Sequence, residues 1–146
     1  RFRVSNAMEG LLSQLTIEGD FDVDVLAELP VLRPPTTEAS PDGWQASGLP
    51  HYMGACRYSW DATFSAADLA KSWSIRFDHI VDSAELCVNG QCCGRRAWAP
   101  WIWPLAGLCA GRNRLDLVVH GTAGNKHELD WPNQPQGWIG KAVLLS

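Results

Sequence analysis

The chain has 146 residues, a formal net charge of −4, 46% hydrophobic residues, 19% charged residues and eight tryptophans. This balance excludes a disordered polymer and supports one domain, or one domain with a short extension, whose core needs no covalent staples. Arg95-Arg96 is the only adjacent basic pair, so no stripe of positive charge can track nucleic acid. No apolar stretch approaches the roughly 18 residues of a membrane-spanning helix, and no membrane partner is expected.

Ser5-Asn6-Ala7 ahead of Met8 looks like the scar of a cleaved affinity tag, although residues 1–4 do not fit that reading. Within residues 11–29, Phe21, Val23 and Val25 alternate with Asp20, Asp22 and Asp24. A period of two predicts a strand with one buried and one wet face. Residues 1–42 are expected to be an N-terminal extension with one or two strands, and residues 43–146 the main domain. Pro34, Pro35, Pro41, Asp42-Gly43 and Gly48 make residues 33–49 a loop. Residues 52–64 form a long strand, with Tyr58, Trp60, Ala62 and Phe64 on one face. Residues 65–70 hold one helical turn, with Ser65 as its cap and Asp68 at the third position.

Trp73, Ile75 and Phe77 give the next strand. Residues 84–88 and 91–95 pair as a hairpin across Asn89-Gly90, because both turn residues tolerate positive φ. Pro100 and Pro104 bound an extended edge segment, since proline cannot donate to a ladder. Residues 105–110 form a short turn and residues 114–120 a strand. Residues 121–137 form a long polar loop, and residues 138–145 the last strand. Seven or eight strands at this spacing predict an all-β fold, an antiparallel β-sandwich of jelly-roll type.

Few residues suggest covalent chemistry. Asp20-Phe21-Asp22-Val23-Asp24 matches the start of a calcium loop, but Val25 stands where glycine is needed and Val31 where glutamate is needed. His51, His79, His120 and His127 lack cysteine or carboxylate partners at ligand spacing, so no metal site is expected. Five cysteines without a C-x-x-C pair read as small hydrophobes in strands. A single bridge such as Cys56–Cys109 stays open. A glycosidase needs two carboxyl groups facing across a cleft. Glu85, Glu128 and Asp130 are the nearest candidates, with no evident pairing, so no catalytic residue is assigned.

The tryptophans carry more. Trp60 and Trp73 read as core. Trp98, Trp101, Trp103, Trp131 and Trp138 sit in or beside loops, where an indole can stack on the apolar face of a sugar ring while nearby polar groups bind hydroxyls. The alternative is that these rings plug the sandwich ends or dock onto another domain.

The segment Tyr52-Met53-Gly54-Ala55-Cys56-Arg57-Tyr58, then Thr63-Phe64, resembles the Y-x-G-x-x-x-Y … F opening of galactose-binding-like β-sandwich domains in glycoside hydrolase family two and its relatives. Val81-Asp82-Ser83-Ala84-Glu85-Leu86-Cys87-Val88-Asn89-Gly90 and Gly94 are similar to their A-E-v-x-V-N-G … G hairpin. Trp98-Ala99-Pro100 and Leu108 … Gly111-Arg112-Asn113-Arg114-Leu115 match their W-x-P … L-x-x-G-x-N-x-L run. Asn125 and Gly137-Trp138-Ile139-Gly140 resemble the closing segment of a rhamnosidase-like branch, with Lys141 where that branch has proline.

The resemblance covers residues 43–145. It implies a non-catalytic accessory sandwich of a larger glycoside hydrolase, since the chain has no room for a catalytic barrel of about 250 residues. It implies a secreted or periplasmic setting. It implies carbohydrate, or the catalytic domain of the parent enzyme, as partner. No cofactor is expected, although sandwiches of this type often carry a structural calcium ion. Carbohydrate contacts are expected from Trp98, Trp101 and Trp103 as stacking groups, with Arg95, Asn125 and Trp131 beside them. A docking module without ligand is the alternative, and a small hydrolase a third.

Overall fold

A computed structural model describes residues 19–24, 29–36, 38–49, 52–122 and 135–146. The chain divides into two compact units, Arg1–Pro35 and Thr36–Ser146. In the first, β1 (Asp22–Asp24) pairs antiparallel with β2 (Val31–Arg33) in the register Val23↔Leu32.

The second unit is all-β and antiparallel. One sheet has the order β3 (Ala55–Phe64), β8 (Gly111–His120), β5 (Ser83–Val88), β6 (Gln91–Arg96). The other has the order β7 (Ile102–Pro104), β4 (Ser74–Ile80), β9 (Trp138–Leu145). Their inward side chains form one core, with Leu86, Leu115 and Leu117 from the first sheet and Ile75, Phe77 and Trp103 from the second. The two layers make a sandwich.

Period-two patterning explains most of it. Ala84, Leu86 and Val88 are buried while Ser83, Glu85 and Cys87 face out, and Leu115, Leu117 and Val119 do the same on β8. Burying one such aliphatic side chain stabilises by about 1.5–3 kcal/mol. On β4 the phase changes. A bulge between Phe77 and His79 turns Ile80 inward instead of His79, as an extra residue in one strand must. Trp73 precedes this strand. Its half-buried indole meets Phe64 edge-on at 5.3 Å and donates to the Asp68 carbonyl at 2.8 Å. The N-cap of the 3₁₀ turn Asp68–Ala70 is Ala67, without a side-chain cap, in place of the expected Ser65. Ser65 and Asp68 still exchange hydrogen bonds ahead of the turn, Ser65 N to Asp68 Oδ2 at 2.8 Å and Asp68 N to Ser65 Oγ at 3.2 Å.

The Asn89-Gly90 turn has φ of 51° and 82°, the left-handed pair a two-residue hairpin requires. Asn89 also ties this turn to β8. Its carboxamide donates to Asn113 Oδ1 at 2.8 Å and accepts from Arg114 N at 2.9 Å. Asn113 is fully buried, accepts from Cys109 N at 2.8 Å and donates to the Cys109 carbonyl at 2.8 Å. Two sequence motifs thus close on each other as one polar knot.

Past Arg33, the last residue of β2, the described residues form the loop expected over residues 33–49. Its Trp44 is 0% exposed and its indole donates to the Tyr58 hydroxyl at 3.0 Å. A Cβ on Gly137 would collide with that indole, and Gly137 has φ of 84°, so both space and backbone require glycine there. The cysteines divide as well. Cys56 and Cys93 pack against the core as expected, whereas Cys87 and Cys92 lie on the outer face of β5 and β6 and Cys109 is exposed. A Cys56–Cys109 bridge is ruled out. Cys56 pairs with Val119 and Gly111 with Phe64, so the two thiols lie toward opposite ends of a ladder, about 27 Å apart at 3.4 Å per residue.

Candidate functional site

The sandwich leaves one edge open between β3 and β9, the outermost strands of their sheets. The segment 38–49 crosses this edge. Asp42 bridges Ile139, Gly140 N donates to the Pro41 carbonyl at 2.9 Å, and Trp44 N donates to the Gln136 carbonyl at 2.9 Å. A cleft of about 660 Å³ lies here, within the 300–1,000 Å³ typical of small-ligand sites.

Its walls are aromatic. Tyr52, Tyr58, Trp60 and Trp138 line it, together with Glu38, Arg57 and Ser59. Tyr58 meets Trp138 edge-on at 5.3 Å, and Trp60 lies 6.1 Å from Trp138 at an interplanar angle of 35°. Phe77 backs both indoles from the core, at 6.0 Å from Trp60 and 5.4 Å from Trp138. These rings are therefore held by packing and present their remaining surface in a fixed arrangement. The buried Trp138 Nε1 has no hydrogen-bond partner among the described residues. Arg57 and Glu38 are exposed and place opposite charges at the rim. Burial pushes the Tyr58 phenol up to about 12, helped by the neighbouring Cys56 thiol, so Tyr58 stays a neutral hydroxyl. Burial likewise raises the Cys56 thiol.

The residues expected to form the stacking platform lie away from this cleft: Trp101 and Trp103 stack on each other, and Trp98 is exposed. Trp101 is 7% exposed and Trp103 1%. They stack on each other at 6.2 Å, and Trp103 meets Phe77 at 5.6 Å, donates to the Gly94 carbonyl at 2.9 Å and carries the Arg96 guanidinium at 5.5 Å. Their ring faces are occupied by protein, so neither is a free stacking surface. The reason is strand geometry. Trp103 pairs with Ile75, and Phe77 N donates to the Trp101 carbonyl at 2.9 Å, so two indoles at period two point the same way, inward. Trp98 is 77% exposed. Arg95 donates to Glu85 Oε2 at 2.8 Å on the outer face of the sheet. Asn125 and Trp131, like Glu128, Asp130, His51 and His127, lie outside the described residues. Trp60 and Trp138, read above as core and as loop, turn out to share the cleft. The alternation Tyr58-x-Trp60 carried a signal for an aromatic face. Its meeting with Trp138, 78 positions later, carried none.

No protein-family model matches the chain, and no curated protein matches it. Solved structures do. A rhamnosidase from Novosphingobium sp. PP1Y superposes over 99% of this chain and 16% of its own, with a TM-score of 0.59 and 21% identity. The likeness is one of fold. A β-galacturonidase of glycoside hydrolase family two from Eisenbergiella tayi, bound to glycerol, matches over 89% of this chain and 21% of its own, at 0.53 and 20% identity. A family-two member from Bacteroides cellulosilyticus matches over 62% and 12%, at 0.51 and 18% identity. The chain thus spans about a sixth of the rhamnosidase and a fifth of the β-galacturonidase.

Proposed function

We propose that this chain is the accessory, non-catalytic sandwich of a glycoside hydrolase, of the galactose-binding-like jelly-roll type, and that it holds a saccharide in the cleft between β3 and β9. The observation that carries the reading is the cleft itself. Four aromatic rings supply apolar walls, and Arg57, Glu38 and hydroxyl groups supply polar contacts, the division of labour that sugar rings require. The glycosidase folds it resembles, and the small share of their length it spans, support placement in a larger enzyme. Among the described residues lining the cleft, Glu38 is the single carboxylate, whereas glycoside hydrolysis uses a facing pair. That supports binding rather than cleavage.

Titrating neutral and uronic-acid oligosaccharides while following tryptophan emission tests the proposal. Saturable quenching is expected, abolished by Trp60→Ala and kept in Trp98→Ala. An unresponsive parent, or a Trp60→Ala chain that binds as well as the parent, would overturn it. A second reading, docking onto a catalytic domain, is favoured by Trp98, whose indole lies in solvent. It predicts concentration-dependent self-association on size exclusion that Trp98→Ala abolishes.

A further inference from the structure

We propose that Glu85, Cys87 and Cys92 form a binding site for a thiophilic divalent cation such as Zn²⁺, with Arg95 as a positioning residue. The site is independent of the saccharide reading. It lies on the outer face of the β5–β6 hairpin, at the opposite edge of the four-stranded sheet from β3.

The hairpin builds it. Cys87 and Cys92 are directly opposed in the ladder, one position back from the Val88↔Gln91 pair that closes the turn. In such a ladder the pair next to a hydrogen-bonded one has the closer side chains. Glu85 lies two residues before Cys87 on the same face. The three donor atoms fall within 4.8 Å of one another. Two thiolates and a carboxylate are a ligand set that zinc accepts, with a fourth, open position.

The carboxylate is divided between two tasks. Arg95 Nη2 donates to Glu85 Oε2 at 2.8 Å, while the Cys92 thiol donates to Oε1 at 2.6 Å. One oxygen is fixed by a cation and the other is directed at the sulfurs, as in sites where an outer residue orients a ligand. The Cys92 thiol proton occupies the place a metal ion would take. Hydrogen bonds to Cys87 and then Glu85 hold that thiol protonated, its pKa pushed up to about 12, and the same contact from Cys92 holds Glu85 ionised. Binding would release two thiol protons to solvent and leave Zn²⁺, two thiolates, one carboxylate and one guanidinium, a cluster with no net charge. The Sγ–Sγ distance of 2.9 Å must open to about 3.8 Å, set by Zn–S bonds of 2.3 Å in a tetrahedron. Cys92 is exposed and Cys87 half-buried, so a side-chain rotation suffices.

The test uses the full chain, kept reduced by a phosphine, with Zn²⁺ competed by a chromophoric chelator and Co²⁺ as a spectroscopic probe. One equivalent of Zn²⁺ is expected, with sulfur-to-cobalt charge-transfer bands and a zinc-dependent rise in melting temperature. Cys87→Ser and Cys92→Ser should each abolish the bands and Glu85→Gln weaken binding, while Cys93→Ser should change nothing. Arg95→Gln should weaken binding by about tenfold, with Arg95→Lys partly restoring it. Glu85, Cys87, Cys92 and Arg95 lie on the outer face of the sheet while Cys93 packs against the core, and the zinc-free melting temperature of each variant reports folding separately. Uptake that persists in the Cys87→Ser/Cys92→Ser double variant would overturn the proposal. So would a folded parent that takes up no zinc while reduced, even if it forms a Cys87–Cys92 disulfide once the phosphine is removed.

Discussion

Two aromatic clusters lie in the same sandwich and differ in what covers them. Trp101 and Trp103 stack on each other and are buried, with Trp103 also beneath Arg96 and against Phe77. Trp60 and Trp138 rest on Phe77 from the other side and line a cleft. Phe77 is common to both. The contrast teaches that indole content does not identify a binding face. Trp103 on β7 and Trp138 on β9 both sit on outermost strands flanking β4, so what separates them is whether protein covers the ring or a cleft lies beside it.

The comparison breaks first at Trp103. Trp103→Ala should destabilise the fold by about 3–5 kcal/mol in chemical denaturation, as loss of a buried aromatic does, with saccharide affinity per folded molecule unchanged. Trp60→Ala should cost less stability and abolish binding. If the two variants behaved alike, the division into sealed and open clusters would fail. Next comes the polar knot. Asn113→Ala should cost about 1–3 kcal/mol, because Cys109 N and the Asn89 carboxamide lose a buried partner, and hydrogen exchange should loosen at the β5–β6 turn before the cleft.

Tyr58 sharpens the comparison by pH. Its folded pKa, about 12, lies above the ordinary 10.0. Above the ordinary value the unfolded chain sheds this proton while the folded chain keeps it. The contribution is therefore intact below about pH 10 and declines as pH rises toward 12. Alkaline melting curves should show this decline, and Tyr58→Phe should lose it while leaving Trp44 Nε1 without its acceptor. The smallest stability effect is at the rim. Arg57→Ala should change folding stability by less than about 0.5 kcal/mol yet weaken binding of acidic saccharides more than neutral ones.

The strands were legible because each rests on local pattern. Alternation over residues 84–88 and 114–120, the Asn-Gly turn and the proline-bounded edge at β7 are each written within a few residues, and the structure realises them. The bulge at Phe77/His79 was not legible, because an extra residue leaves no mark in a short alternating run. The burial of Trp44 was not legible, because a segment rich in glycine and proline signals a loop, which it is, and nothing local reveals that the loop folds back under Tyr58. The candidate cleft was hidden for the same reason. Its walls come from residues 38–60 and 138, which meet only after two sheets have packed. Cys87 and Cys92 were treated as strand hydrophobes, although the hairpin register that opposes them follows from the Asn-Gly turn.

The indole N–H resonances in a saccharide titration followed by nitrogen-15 NMR test the central claim most directly, because each tryptophan reports its own surroundings. Trp60 and Trp138 should shift with a common saturation curve while Trp101 and Trp103 stay fixed. Shifts confined to Trp98, or shared by the Trp101–Trp103 pair and missing from Trp138, would contradict the account.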